Sequence, residues 1–142
     1  MKKFEYRLQK VLDVKEMVLR KAQRDLAYAE NEKCEAQEEM HQVETVLERF
    51  YRQMQASGSE TVSEIRRKYD HFYQLMDNLK VQKECLQQLE NKVEEIRGQL
   101  LEKQKDHKIL SKLKEKHYSE YFSKMEKEEQ IQLDEMALHG NR

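Results

Sequence analysis

An all-α fold, two long helices folded back on each other as an antiparallel coiled-coil hairpin with an overhanging C-terminal helix, is what this sequence predicts, and three observations predict it. The 142 residues hold no proline and three glycines, so little interrupts a helix. Between the apolar residues lie mostly Glu, Lys, Gln and Arg, all strong helix formers. With 39% charged and 37% hydrophobic residues, the chain is too polar for a compact globular core. Finally, apolar residues recur at alternating steps of four and three from Leu8 to Met54. That is the period of a coiled-coil seam, narrower than the buried face of a globular helix.

The first helix is expected over about 4–56. Its seam runs from Leu8 and Leu12 through Ala22, Ala29 and Ala36 to Phe50 and Met54, with only Lys15 and Lys33 as polar members. The three alanines share one heptad position and let a partner helix approach closely, whereas Phe50 and Met54 need more room. The pair should therefore be tighter in its middle than near its tip.

The turn is expected at about 57–61, centred on Ser57-Gly58-Ser59, with Gly58 supplying a left-handed backbone conformation at little steric cost. Thr61 stands three residues before Glu64, the spacing of a capping box that satisfies free amides at a helix start. The second helix is expected over about 62–138, with Val62, Ile65, Tyr69, Phe72, Met76 and Leu79 opening its seam and Leu86, Leu89, Val93, Ile96 and Leu100 continuing it. Between Leu79 and Leu89 the steps read four, three, three, a shortened spacing that predicts local overwinding. Gly98 is a soft spot within this helix.

A single hairpin domain over 1–142 pairs residues whose numbers sum to about 117, setting Leu12 opposite the region of Lys105 and Leu26 near Asn91. The last ~25 residues then extend past the amino terminus, at 1.5 Å of rise per residue. They carry Tyr118, Tyr121, Phe122, Met125, Ile131, Leu133 and Met136, an unpaired amphipathic stretch suited to a partner.

Charge is blocky. The 27 basic and 28 acidic residues leave a formal charge of -1, so no global field draws the chain to nucleic acid. Residues 1–24 nevertheless hold eight basic and three acidic side chains, and residues 103–116 hold six and two. The fold brings these together as a basic open end. Residues 25–49 invert the balance with eight acidic against two basic, and residues 119–135 carry six against two.

The same inventory argues against chemistry within the chain. The five histidines never fall three or four residues apart, so no helix face offers two imidazoles to one metal. A two-helix rod provides no water-excluding pocket in which side-chain pKa values could be tuned for catalysis, and no cofactor is expected. Cys34 and Cys85 fall at nearly the same height on opposite helices and are expected as reduced, semi-exposed thiols. No apolar run approaches a membrane span, and the opening MKKFEYRLQK lacks the apolar stretch of a secretory signal. A soluble cytoplasmic chain without direct membrane insertion is expected. The basic end lacks the aromatic interleaving, glycine-rich loops and zinc spacing of nucleic-acid modules, so an acidic protein surface is preferred as partner. Near the tip, Tyr51 and Tyr73 lie beside the seam and are candidates for an exposed contact.

The segment Phe4-Glu5-Tyr6-Arg7-Leu8-Gln9-Lys10-Val11-Leu12, with Lys15-Glu16 after it, resembles the opening of the flagellar export protein FliJ family. Glu115-Lys116, Glu120-Tyr121, Glu129-Gln130 and Leu133-Asp134-Glu135 followed by Ala137 resemble that family's carboxy-terminal segment. The resemblance implies a cytoplasmic component of the flagellar type III export apparatus, peripherally associated with the inner face of the cell membrane at the flagellar base. Such a protein inserts its open end into the export ATPase ring, much as the central stalk does in rotary ATP synthases. It also contacts the membrane export gate and export chaperones. Carried over by motif, the resemblance places ATPase contacts at Arg7, Leu8, Gln9 and Lys10 on the first helix and at Tyr121, Gln130, Leu133 and Asp134 on the second. It places gate contacts at Tyr51, Phe72, Met76 and Leu79, although the heptad pattern wants the last three in the seam. A structural coiled-coil spacer with no ATPase partner would need only the seam.

Overall fold

The computed structural model describes residues 2–56, 58 and 60–140. It contains two long helices packed against each other, α1 (Gln9–Ala56) and α2 (Val62–Gly140). The chain packs as two units, Met1–Ala22 with Leu100–Arg142 (unit 1) and Gln23–Gln99 (unit 2).

In unit 2 the two helices run antiparallel, with Glu30 paired to Arg97 and Phe50 against His71. Its core is Ala29, Leu86 and Val93, with Ala29 and Val93 each only 1% exposed. Toward the connection, Phe50, Met54 and Phe72 are no more than half-buried. Lys92 to Glu32 at 3.5 Å and Arg97 to Glu30 at 3.1 Å cross between the helices. Arg20 to Glu16 in unit 1 and Arg52 to Glu48 in unit 2 are i,i+4 pairs along α1. Such exposed pairs contribute little each. The hydrogen bond to Glu30, followed by the charge of Glu94, raises the pKa of the Arg97 guanidinium above its ordinary value.

The register differs from the expected one. Phe50 lies against His71, ring centroids 4.9 Å apart, where pairing about Gly58 would set it opposite Arg67. The offset is about one helical turn. Val62 is 81% exposed and Ile65 41%, so the first turn of α2 has little packed across it, and pairing starts later in α2 than a symmetric fold requires. The capping box forms as expected: the Thr61 N–H donates to Glu64 Oε2 and the Glu64 N–H to Thr61 Oγ1, both at 3.4 Å. The expected left-handed glycine does not occur, since no described glycine has positive φ. A connection of five residues, 57–61, reverses the chain without one. Ser57 and Ser59 lie outside the described residues.

The seam of α2 in unit 2 is also more regular than expected. Phe72, Leu75, Leu79, Gln82, Leu86, Leu89, Val93 and Ile96 are buried or half-buried at unbroken steps of three and four. Met76 is 45% exposed and Tyr69 49%; Leu75 and Lys68 take their places. The shortened spacing is therefore absent. It arose from passing over Gln82, a polar residue at a true seam position. Gln82 Oε1 is buried with no hydrogen-bond partner, and an unsatisfied buried carbonyl costs about 1–3 kcal/mol. Gln82→Leu is accordingly expected to raise stability by about 1 kcal/mol, read as a higher midpoint in thermal or urea unfolding; a lower midpoint would contradict the unpaired placement. Gly98 is exposed within α2, and a Cβ built on it meets nothing within 4 Å. Gly98→Ala should add about 1 kcal/mol by the same measurement.

Candidate partner-binding surfaces

The functional surface in unit 1 begins with a stretch that is not helical. The sequence pattern starts the first helix at about residue 4, but α1 starts at Gln9, after a turn in which the Gln9 N–H donates to the Tyr6 carbonyl at 3.0 Å. Tertiary contacts override helix propensity here. Phe4 lies edge-on to Tyr118, centroids 5.2 Å apart, and tilted against Tyr121 at 5.5 Å. Tyr6 meets His117 edge-on at 5.7 Å. The Tyr6 ring is only 7% exposed, and its hydroxyl donates to the Leu110 carbonyl at 3.2 Å. The Tyr121 hydroxyl donates in turn to the Lys2 carbonyl. Phe4, Tyr6, Tyr118 and Tyr121 thus clasp the amino-terminal segment to α2.

Part of the stretch expected to be unpaired is engaged by the clasp. Tyr118 and Tyr121 are engaged by Phe4, whereas every residue from Glu126 to Gly140 is exposed. Two aromatic pairs could have signalled it in the sequence. Phe4 and Tyr6 have the period of two of an extended segment, and Tyr118 and Tyr121 have the spacing of neighbours on one helix face.

The residues expected to meet an ATPase fall into two groups within unit 1. Arg7 and Lys10 are exposed beside the clasp and, with Phe4, Tyr6 and Lys114, line a shallow groove. Leu8 is half-buried in the seam, and Gln9 donates to Asp13 at 2.8 Å. Tyr121 belongs to the clasp, which brings it to the same region as Arg7. Gln130, Leu133 and Asp134 lie farther along α2. Gln130 donates to Asp134 at 3.2 Å, and Leu133 is 60% exposed. Arg7, Lys10 and Lys114 therefore outnumber Glu5 in the groove beside the clasp, while Glu126, Glu128, Glu129, Asp134 and Glu135 mark the later segment as acidic. Lys114 is a groove residue that the sequence motifs did not single out.

The residues expected at the gate fall in unit 2. Tyr51 is 49% exposed and its ring lies 6.1 Å from that of Phe72. Phe72 also meets Tyr73 edge-on at 6.1 Å. Phe72 and Leu79 occupy half-buried seam positions, whereas Met76 lies outside the seam. The surface thus presents Tyr51, Tyr73 and Met76 over a Phe72 floor.

Among the described residues no cluster of three His, Cys, Asp or Glu side chains is placed to hold a metal ion. No described helix is long and apolar enough to cross a membrane. Cys34 and Cys85 are free and exposed.

Compared with known proteins, residues 3–141 match the family model described as Flagellar FliJ protein. Neither the curated proteins nor the solved structures give a significant match.

Proposed function

Because this chain belongs to the flagellar FliJ protein family, a non-enzymatic component of the flagellar export apparatus, we propose that it serves as the coiled-coil stalk of the export ATPase ring. The observation that carries this reading is the clasp. It fixes Arg7 and Lys10, which a frayed terminus would leave mobile, beside the aromatic face of Tyr118 and Tyr121 on a pair of helices. Cations on an ordered support suit a partner surface of opposite charge, because steering depends on charges held in a fixed pattern. Leu8, Gln9, Tyr121, Gln130, Leu133 and Asp134 complete the proposed ATPase contacts.

At the unit 2 surface, Tyr51, Phe72, Met76 and Leu79 are the proposed contacts to the membrane export gate. Tyr51 and Met76 offer exposed area, while Phe72 and Leu79 supply support from the seam. Export chaperones are further proposed partners. The proposed site of action is the cytoplasmic face of the membrane at the flagellar base, reached by docking rather than insertion.

The test is binding to the purified flagellar export ATPase. Arg7→Glu combined with Lys10→Glu is expected to weaken binding at least about tenfold and to flatten its salt dependence. Both positions are exposed, so helicity by circular dichroism should be unchanged. Equal affinity of the reversed and unaltered chains would sink the proposed contact.

A further inference from the structure

The first turns of α2 in unit 2 carry two overlapping seams, and only one of them faces α1. In the observed seam Lys68, Leu75 and Gln82 alternate with Phe72, Leu79 and Leu86. One residue beyond each of the first three stand Tyr69, Met76 and Lys83, which alternate with the same Phe72, Leu79 and Leu86 at equally regular steps of three and four. Val62 and Ile65 extend this second pattern toward the connection. Val62, Ile65, Tyr69 and Met76 are 81%, 41%, 49% and 45% exposed. At roughly 100° per residue all four fall within about 60° of one another around the helix.

Each seam has its own defects. In the observed one Gln82 Oε1 is buried without a hydrogen-bond partner, and Lys68 is half-buried with its ammonium paired to Glu60. The second seam exchanges Lys68 for an aromatic ring and returns the Gln82 amide to water. It brings in Lys83, whose stem can lie along apolar surface while its ammonium stays hydrated. It also meets Leu89, Val93 and Ile96 through a shortened step, which overwinds the pair locally. Polar burial therefore opposes one packing and overwinding the other.

We propose that residues 62–83 of α2 turn between two settings on α1. The second is reached by a rotation of about 50° about the helix axis, half the angle between adjacent residues. Tyr69 and Met76 then enter the seam while Leu75 and Gln82 leave it. Phe72, Leu79 and Leu86 stay in contact throughout, so the helices need not separate. The settings are discrete because interdigitated side chains do not deform continuously. Met76 is one of the proposed gate contacts, so the second setting withdraws part of that surface. The rotation itself requires no gate protein.

Hydroxyl-radical footprinting of the full chain, with modification of Tyr69 and Met76 read by mass spectrometry, tests the two settings. Gln82→Leu favours the observed setting. Gln82→Glu combined with Lys83→Leu favours the second, because the carboxylate needs water and the leucine burial. Both reactivities should be at least about threefold lower in the double variant than in Gln82→Leu, with the unaltered chain between them. Tyr28, 67% exposed on α1 of the same unit, should react equally in all three, and helicity should be unchanged. His71 gives a second reading. Its ring lies edge-on to Phe50 at 4.9 Å, and the rotation carries it away, so in the double variant its ring-proton resonances should move to those of a solvated histidine. Equal reactivity of Tyr69 and Met76 in the two variants, or unmoved His71 resonances, would mean that α2 has a single setting. Loss of helicity in the double variant would mean that the second seam cannot hold the pair.

Discussion

Val93→Asp is expected to unfold the middle of unit 2. Val93 is 1% exposed at a seam position, with Ala29, also 1% exposed, in the same core. Two losses add there. Burial of a valine side chain contributes about 1.5–3 kcal/mol. A carboxylate in its place must also leave water, and the nearby cations Lys92 and Arg97 already serve Glu32, Glu30 and Glu94. The total exceeds about 4 kcal/mol, a large part of the 5–15 kcal/mol that holds a typical domain together. Thermal unfolding followed by circular dichroism should begin at least ~10 °C lower than in the unaltered chain. Val93→Ala is the milder comparison and should fall between the two. If Val93→Asp melted with the unaltered chain, the seam would not pass through Val93.

Tyr6→Ala has the next largest expected effect, and its consequence is functional as well as structural. The substitution removes a 7% exposed ring, its edge contact with His117 and its hydroxyl bond to the Leu110 carbonyl. A buried aromatic truncated to alanine costs about 3–5 kcal/mol in a core, and a segment near a chain end realises part of that because it can detach alone. Detachment is the informative outcome. The amide protons of Gln9 and Leu12, donated to Tyr6 and Leu8 carbonyls, should lose protection from hydrogen exchange while those near Val93 keep theirs. Tyr6→Phe keeps the ring and loses one hydrogen bond, worth about 1 kcal/mol, and should leave protection largely intact. Equal protection in Tyr6→Ala and the unaltered chain would mean that the clasp does not order the start of α1.

What was legible in the sequence follows the range of the forces involved. The Thr61 and Glu64 capping box is local, formed by residues three apart, and both of its hydrogen bonds occur. The buried alanines Ala22 and Ala29 were likewise visible, because a periodic pattern over many turns averages out single exceptions. Single exceptions were where the pattern misled. Met76 has the apolarity of a seam residue and Gln82 does not, yet the geometry fixes seam position by steps of three and four regardless of polarity. Gly58 looked like a left-handed turn residue, but a five-residue connection has other routes.

For the candidate site, the motif residues Arg7 and Lys10 could be named from sequence, but not what holds them. The clasp joins Phe4 to Tyr118 and Tyr6 to Leu110 across more than a hundred positions. At that separation, pairing is decided by how the two helices meet. An extended aromatic segment also defeats a helix reading because its flanking residues, Glu5, Arg7, Leu8 and Gln9, are themselves compatible with helix.

The role proposed for this member of the flagellar FliJ protein family is to act on the export ATPase. Its most direct test is the ATP hydrolysis rate of the purified flagellar export ATPase, measured with and without the full chain over a range of ratios. The account predicts a rate that rises several-fold and saturates as ring-sized assemblies appear in light scattering, with Tyr6→Ala and the Arg7→Glu, Lys10→Glu pair both losing most of the increase. A hydrolysis rate and assembly state that do not change when the unaltered, folded chain is added in excess would contradict it.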